Sequence, residues 1–199
     1  NFSNSMGICI GDLGFYLANE ILLDEYSENK NFGRLFKYYN DVVIKTCKGE
    51  MLDVILPFKE EFFETDNNLE DKIMEIYRLK TAWYSAIGPY CLGMILGGAA
   101  SNVIKEMEDI LLDAGVAFQI KDDLLGVYGD EKNIGKSTNS DISEYKQTIL
   151  YSYVMKTEYK DELLKYYGKN LSIDDLDYVK GIFDKSGARE YAENKMKEL

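Results

Sequence analysis

The sequence predicts an all-α protein. Only two prolines, Pro57 and Pro89, occur in 199 residues, and no segment alternates apolar and polar residues as a strand would. Apolar residues instead recur at intervals of three and four over most of the chain. Hydrophobic residues make up 46% of the sequence, which is enough for a sizeable core, so disorder is excluded as the main state.

Three long helices are predicted in the first half of the chain. The first covers 6–24 and carries an apolar stripe with the spacing of one helix face: Ile10, Leu13, Leu17 and Ile21. The second is expected over 33–55, and Pro57 closes it. A long helical pattern follows over 69–96, and Pro89 should kink it because proline removes one backbone hydrogen bond.

The second half predicts further helices around one polar loop. Ser101 is expected to cap a helix with the following apolar face: Ile104, Met107, Leu111, Ala114 and Phe118. The loop covers 129–139, and helical periodicity resumes over 143–157. Ser172 begins a short helix with the capping pattern Ser-x-x-Asp, and Gly187 separates that helix from a final charged one.

Charge and composition exclude several classes of function. The formal net charge of −12 argues against a nucleic-acid partner, because phosphate binding depends on a positive field. The sequence contains no histidine, which excludes Ser/His/Asp and Cys/His catalysis within this chain and any histidine-ligated metal site. A metal site would have to use carboxylates, which favours a hard cation such as Mg²⁺.

Cysteine usage and hydropathy give an expectation about the compartment. Cys9, Cys47 and Cys91 lie far apart in apolar stretches and form no metal or redox motif, so a reducing, cytoplasmic setting is expected. The uncharged segment 82–100 is nearly long enough to span a membrane, but glycines and a proline dilute its hydrophobicity. We expect a core helix there and no transmembrane segment.

The sharpest local signal is a helix that carries adjacent acids. Gln119, Asp122, Asp123 and Gly126 follow one another at the spacing of a single helix face. Adjacent acids in an apolar stretch are costly to bury unless a cation neutralises them, and a divalent ion would do so. The alternative is a helix end where both acids face water.

Lysines before and after these acids suggest a phosphate site. Lys80, next to Thr81, lies inside an apolar helical pattern, where it could pair with an acid or point at a phosphate. Lys136 and Lys146 follow the acids, with Asp141 between them. Each loop lysine taken alone is typical of a solvated surface. The combination favours a phosphate held by magnesium and lysine together.

These residues make the chain resemble the trans-isoprenyl diphosphate synthases (polyprenyl synthetases). The resemblance covers most of the chain and rests on ordered blocks: Gly11-Asp12, Gly49-Glu50-x-x-Asp53, Lys80-Thr81, Phe118-Gln119-x-x-Asp122-Asp123, Gly135-Lys136, Asp141, Lys146, and Ser186-Gly187-Ala188 with Tyr191. The family's second aspartate-rich motif is often DDxxD, and Gly126 stands here at its fifth position. The family's first aspartate-rich motif, with its paired arginines, would precede Asn1.

The resemblance implies a fold, a reaction and partners. The fold would be an isoprenoid synthase-type bundle of long helices around a central cavity, with 1–199 forming the C-terminal portion of that domain. The reaction would be a head-to-tail condensation of isopentenyl diphosphate with an allylic diphosphate, assisted by Mg²⁺, in a homodimer. A polypeptide that begins at Asn1 would be inactive alone. Product chain length depends in this family on residues outside the sequence.

The resemblance also assigns roles to residues. It implies the following site: Asp122 holds magnesium while Asp123 and Asp141 assist, Lys80, Lys136 and Lys146 bind the allylic diphosphate, and Thr81 and Gln119 turn oxygen dipoles toward the developing cation. Two alternatives stay open. A class I terpene cyclase would also ionise a metal-bound diphosphate, although the lysines favour the synthase. A non-catalytic subunit of a heteromeric prenyl synthase would lack the first motif, although such subunits tend to lose the acids.

Overall fold

A computed structural model of the chain describes residues 2–58, 69–129 and 140–199. All regular structure in these three ranges is helical, which confirms the predicted class. We number the α-helices in them as follows: α1 Phe2–Tyr26, α2 Phe32–Ile55, α3 Leu69–Ile76, α4 Gly88–Leu96, α5 Ser101–Tyr128, α6 Ser140–Ser143, α7 Ile149–Val154, α8 Lys160–Leu163, α9 Ile173–Lys185 and α10 Ala188–Glu198. A 3₁₀ turn, Leu56–Phe58, follows α2, and a π-helical segment, Tyr77–Ile87, joins α3 to α4.

The π segment lies between α2 and α5, and two glycines allow this close packing. A Cβ atom on Gly49 of α2 would collide with the backbone of Lys80. A Cβ atom on Gly115 of α5 would lie 2.5 Å from the Cα of Ala82. Because backbone atoms cannot yield as a flexible side chain can, these positions admit only glycine at the observed helix spacing.

The core extends from the π segment to the C-terminal helices. It is built mainly from branched aliphatic side chains together with the aromatic Phe183, and the aliphatic ones include Ile73, Ile87, Ile95, Ile120, Ile149, Leu150 and Leu163. Helix α10 packs against α5 and α7. A polar contact fixes it to α3 as well, because the Tyr191 hydroxyl donates to Glu70, which also pairs with Lys156 at 2.8 Å.

Helix α1 has no buried residue, although its sequence is strongly apolar. The stripe that predicted the helix is exposed: Ile10 62%, Leu13 55%, Leu17 47% and Ile21 61%. Among the described residues, α1 is also the one helix long and apolar enough to cross a membrane by length and composition. The segment 82–100, for which we predicted a core helix, passes through the end of the π segment and α4, and several of its side chains are buried.

Near Pro89, where a kink was predicted, the chain passes directly from the π segment into an α-helix. The π segment ends at Ile87, and α4 begins at Gly88 with Pro89 in its first turn, where its missing N–H costs little. The capping box at Ser172 is confirmed, with Ser172 and Asp175 capping each other's backbone N–H. Gly187 separates the last two helices in a left-handed conformation, as a residue without Cβ can.

Two sequence predictions on either side of the polar loop were wrong. Ser101 does not cap α5, because it is the first helical residue and the extended Ala100 precedes it without a side-chain cap. The predicted helix over 143–157 is interrupted, since Tyr145 adopts a left-handed φ of 60°. Thr148 then caps the shorter helix α7 by accepting from the Tyr151 N–H.

The predicted apolar face of α5 was also wrong in its second half. Phe118 is 60% exposed and Ala114 is exposed. Polar residues point inward in their place, because Gln119 and Asp123 are buried with hydrogen-bond partners on neighbouring elements. The register of the helix is therefore set by a satisfied polar network as well as by apolar burial.

Candidate active site

A polar cavity of about 350 Å³ lies where the end of α2, the π segment and the connection from α6 to α7 meet. Its lining consists mostly of charged side chains together with the turn after α2: Asp53, Val54, Pro57, Phe58, Lys80, Asp141, Glu144 and Lys146. Three carboxylates and two ammonium groups from three elements therefore share one concave surface. Such convergence of charge in a cleft is typical of a binding site.

Lys80 points into this cavity from the π segment. Its ammonium pairs with Asp53 at 2.8 Å and with Glu50 at 3.0 Å, both on α2. Partial burial alone would lower the pKa of Lys80, but the two carboxylates outweigh it and the pKa is raised. Lys80 therefore stays charged, and the spacing of Glu50 and Asp53 puts both acids on the helix face beside it.

Asp123 is fully buried behind the cavity and both of its carboxylate oxygens are engaged. Oδ1 accepts from Gln119 Nε2 at 2.8 Å and from Lys146 Nζ at 3.2 Å, and Oδ2 accepts from the Tyr77 hydroxyl. Burial raises the pKa of Asp123 more than Lys146 and Tyr77 lower it. This carboxylate connects α5, the π segment and the turn after α6.

Thr81 and Gln119 are joined by a side-chain hydrogen bond next to Asp123. The Thr81 hydroxyl donates to Gln119 Oε1, while the amide nitrogen of Gln119 donates to Asp123. The amide is thereby held in one orientation, since a flipped amide would place its oxygen against a carboxylate. The structure thus brings together two residues that are 38 positions apart in sequence.

Lys146 is the second ammonium of the cavity. It pairs with Asp123 at 3.2 Å and with Asp141 at 3.4 Å. Burial would lower the pKa of Lys146, but the two carboxylates raise it well above its usual value. The Tyr145 turn that interrupts the predicted helix delivers this lysine, because the N–H of Lys146 returns to the carbonyl of Asp141 at 2.9 Å.

Asp122 and Asp141 are the predicted magnesium ligands with accessible surface. Asp122 is partly exposed, and the side chain of Asp141 is 19% exposed at the cavity wall. Gly126 makes room for Asp141, because a Cβ there would lie 2.9 Å from its carboxylate. In the described ranges, no three acid or thiol side chains surround one point as metal ligands. Asp122 and Asp141 offer carboxylate oxygens, which suit Mg²⁺ held by one or two carboxylates together with ligand phosphates.

The sequence analysis missed some site residues, and one predicted residue cannot be placed. Lys136 lies outside the described residues. Glu144 lines the cavity, although the sequence assigned it no role in the site. Tyr77 was missed as well, although it precedes Lys80 by three residues and Thr81 by four, which is the spacing of one helix face.

A second, apolar cavity of about 470 Å³ lies between α1, α2 and α4. Its lining is almost entirely apolar or aromatic: Gly11, Gly14, Phe15, Ala18, Tyr39, Val42, Val43, Thr46, Cys47, Tyr84, Gly88, Pro89 and Leu92. Tyr84 on the π segment and Gly88 at the start of α4 follow Lys80 at intervals of four. On α2, Thr46 and Val43 precede Asp53 by two and three turns. The two cavities thus lie along the same pair of helical elements.

Comparison with known proteins identifies the family of this chain. Residues 1–183 match the family model described as Polyprenyl synthetase. The chain belongs to the polyprenyl synthetase family. It is 34% identical to a geranylfarnesyl diphosphate synthase of Aeropyrum pernix, over 81% of this chain and 49% of that protein. It is 32% identical to a farnesyl pyrophosphate synthase of Zea mays, over 82% of this chain and 48% of that protein.

Solved structures of the polyprenyl synthetase family confirm the fold. A geranylgeranyl pyrophosphate synthase of Corynebacterium glutamicum, complexed with isoprenyl diphosphate and magnesium, superposes with a TM-score of 0.86. It is 26% identical, and the match covers 98% of this chain and 54% of that one. The predicted isoprenoid synthase-type fold is therefore correct. The chain spans about half the length of the curated relatives it matches.

Proposed function

We propose that this chain forms the C-terminal part of a prenyl diphosphate synthase, which condenses isopentenyl diphosphate with an allylic diphosphate head to tail. One observation carries the proposal: a cavity with two charged lysines, Lys80 and Lys146, and an apolar cavity lie along the same helical elements. The names of the relatives support it. The terpene cyclase and the non-catalytic subunit have no comparable support among those relatives.

The two cavities match the two ends of an allylic diphosphate. The lysines of the polar cavity suit the diphosphate, and the aromatic and aliphatic walls of the apolar cavity suit the prenyl chain. Eight residues separate Lys80 from Gly88, which corresponds to roughly 10–12 Å along a helix. A short prenyl chain bound by its diphosphate at Lys80 would reach the apolar walls.

Asp122 and Asp141 are the residues that would hold Mg²⁺ beside the diphosphate. When bound there, the ion would supply positive charge to the departing pyrophosphate. Lys80, Lys146 and, by resemblance, Lys136 would neutralise the same leaving group as its bond to the allylic carbon breaks. The carboxylates that raise the pKa values of Lys80 and Lys146 keep both ammonium groups protonated for this task.

Thr81 and Gln119 would act on the carbon side of the reaction. Both are nearly buried, and their mutual hydrogen bond fixes their oxygen atoms in place before substrate binds. Fixed dipoles stabilise a developing allylic cation better than mobile water does, and a dry site keeps water from capturing it. The electrons of the isopentenyl double bond then form the new carbon–carbon bond, and loss of a proton restores a double bond.

The decisive experiment compares Asp122→Ala with Asp109→Ala in the complete polypeptide. Asp109 is an exposed acid on the same helix and serves as the matched control. The proteins are incubated with Mg²⁺, isopentenyl diphosphate and geranyl or farnesyl diphosphate, and the products are identified by mass spectrometry. We expect a longer prenyl diphosphate from the wild type and from Asp109→Ala, and none from Asp122→Ala. Full activity of Asp122→Ala would refute the assignment.

We further propose that the protein is a homodimer and that α1 contributes to the interface. The support is the exposed stripe that includes Leu13 and Leu17, because an apolar surface of this length is costly to leave in water. Sedimentation of the complete protein should give a dimer, and Leu13→Glu with Leu17→Glu should give a monomer. An unchanged dimer in the double variant would exclude α1 from the interface.

A further inference from the structure

We propose that Tyr77 is a positioning residue, which fixes the Gln119 amide and the Lys146 ammonium through the buried carboxylate of Asp123. This inference rests on the proposed prenyl transfer for its catalytic consequence. Its geometric content rests on the contacts of the described residues alone.

The Tyr77 hydroxyl makes two hydrogen bonds, and it is the acceptor in one and the donor in the other. Tyr77 is buried, and its hydroxyl oxygen accepts the backbone N–H of Ile149 at 2.9 Å. The phenol donates its own proton in a hydrogen bond to Asp123 Oδ2. Because donor and acceptor of the phenol are both committed, Tyr77 fixes the carboxylate relative to the first residue of α7.

The two carboxylate oxygens of Asp123 accept hydrogen bonds from different donors. With Oδ2 held by Tyr77, Oδ1 is the atom left for Gln119 at 2.8 Å and for Lys146 at 3.2 Å. Without the phenol, the carboxylate can rotate and share its oxygens differently between these two donors. The Lys146 ammonium and the Gln119 amide would then no longer be held in place by the same carboxylate oxygen.

The orientation of the Gln119 amide in turn fixes the direction of the Thr81 hydroxyl. Gln119 donates an amide N–H to Asp123, so its amide oxygen faces Thr81 and accepts a hydrogen bond from the hydroxyl of that residue. Thr81 therefore turns oxygen lone pairs, and not its proton, toward other neighbours. Tyr77 thus controls the polarity presented by Thr81 without touching it, because each link in the chain has a fixed direction.

The test is a double-mutant cycle on kcat with Tyr77→Phe and Asp123→Asn in the complete polypeptide. Tyr77→Phe keeps the ring and removes the donor. We expect it to lower kcat about 10- to 100-fold with little change in the KM of isopentenyl diphosphate, because the loss falls on groups oriented for the transition state. In the Asp123→Asn background the same substitution should lower kcat no further.

Tyr191→Phe is the matched control, because Tyr191 also donates its phenol to a carboxylate, that of Glu70, and lines neither cavity described above. It should leave kcat within about twofold. Independent losses from Tyr77→Phe and Asp123→Asn, or an equal loss from Tyr191→Phe, would overturn the proposal, since a merely structural tyrosine predicts both.

A second readout separates this inference from the proposed function. In the wild type the Gln119 side-chain amide protons should exchange slowly by NMR, and Tyr77→Phe should shift their resonances while Tyr191→Phe should not. A wild type without prenyl transfer refutes the proposed function, and the NMR result then decides the positioning role alone. If Tyr77→Phe fails to fold, fast exchange of the wild-type amide protons would still overturn the inference.

Discussion

Two carboxylates in this protein have the same kinds of hydrogen-bond partner, but their pKa values are shifted in opposite directions. Asp123 accepts from a tyrosine and a lysine, Tyr77 and Lys146, and Glu70 likewise accepts from Tyr191 and Lys156. Here, the Asp123 triad means Tyr77, Asp123 and Lys146, and the Glu70 triad means Tyr191, Glu70 and Lys156.

The two triads differ in their access to water. The Asp123 side chain is 0% exposed, and burial raises its pKa despite both partners. The Glu70 side chain is 18% exposed, and although burial would raise its pKa, the hydrogen bonds from Lys156 and Tyr191 outweigh that effect and lower it. The comparison shows that partners alone do not set the energy of a carboxylate, because the desolvation that accompanies them can dominate.

Removal of the two carboxylates should give the largest contrast. Asp123→Ala leaves the partly buried ammonium of Lys146 without its closest partner, together with two unpaired donors, and should cost about 3–5 kcal/mol of unfolding free energy. Glu70→Ala should cost about 1 kcal/mol or less, because Lys156 remains in contact with water. Urea unfolding of both variants measures the contrast. Equal losses would show that burial does not distinguish the triads.

A displacement of α5 should break the Asp123 triad and spare the other. Gly115→Ala places a methyl group against Ala82 of the π segment, which separates the helix of Asp123 from the segment of Tyr77. Overpacking of this kind should cost about 3 kcal/mol. Gly181→Ala on α9 is the control, since a Cβ there meets nothing within 4 Å, and it should stabilise by about 0.5–1 kcal/mol. The two melting temperatures should move in opposite directions.

The pH dependence of stability should have opposite sign at the two carboxylates. The raised pKa of Asp123 means that wild type loses stability relative to Asp123→Asn as pH rises from about 4, the unfolded value, through the folded pKa. The lowered pKa of Glu70 means that wild type loses stability relative to Glu70→Gln as pH falls from about 4.3 through the folded pKa. Thermal unfolding between these limits tests both; parallel slopes would contradict the assignment.

Salt should produce the smallest difference. The pair of Lys156 and Glu70 is partly exposed, so a double-mutant cycle should give a coupling of about 0.2–1 kcal/mol that weakens as sodium chloride rises toward 1 M. The coupling of Lys146 with Asp123 should change less, because the Asp123 side chain is 0% exposed and that of Lys146 is 22% exposed, against 51% for Lys156. A stronger salt effect on the buried pair would reverse this reading.

Much of the fold could be predicted because local signals agree with it. The helix over 6–24, the helix that ends before Pro57 and the capping box at Ser172 depend on periodicity, proline and caps. Those features act over a few residues. The interruption at Tyr145 could not be predicted in this way, because a left-handed tyrosine is locally unfavourable. Contacts of its ring with Tyr151 and Tyr167 accompany that conformation.

The candidate site divides in the same manner. The sequence singled out Lys80, Thr81, Gln119 and Asp123 by their types and spacing. The structure links Thr81, Gln119 and Asp123 by hydrogen bonds and places Lys80 in the lining of the polar cavity. The sequence did not indicate that Asp123 would be buried with both carboxylate oxygens in hydrogen bonds. A sequence pattern states which acids share a helix face, but not which element will cover that face.

The sequence by itself determined the helical class, the acidic charge, the absence of histidine chemistry and the residue types of the site, because these follow from composition and short-range spacing. Tertiary structure alone decided which carboxylate is fully buried and which is partly exposed to solvent. Residues 46 positions apart, Tyr77 and Asp123, had to meet before burial could raise a pKa that Glu70, with the same kinds of partner, has lowered. Desolvation is a property of the packed molecule, and no single segment carries it.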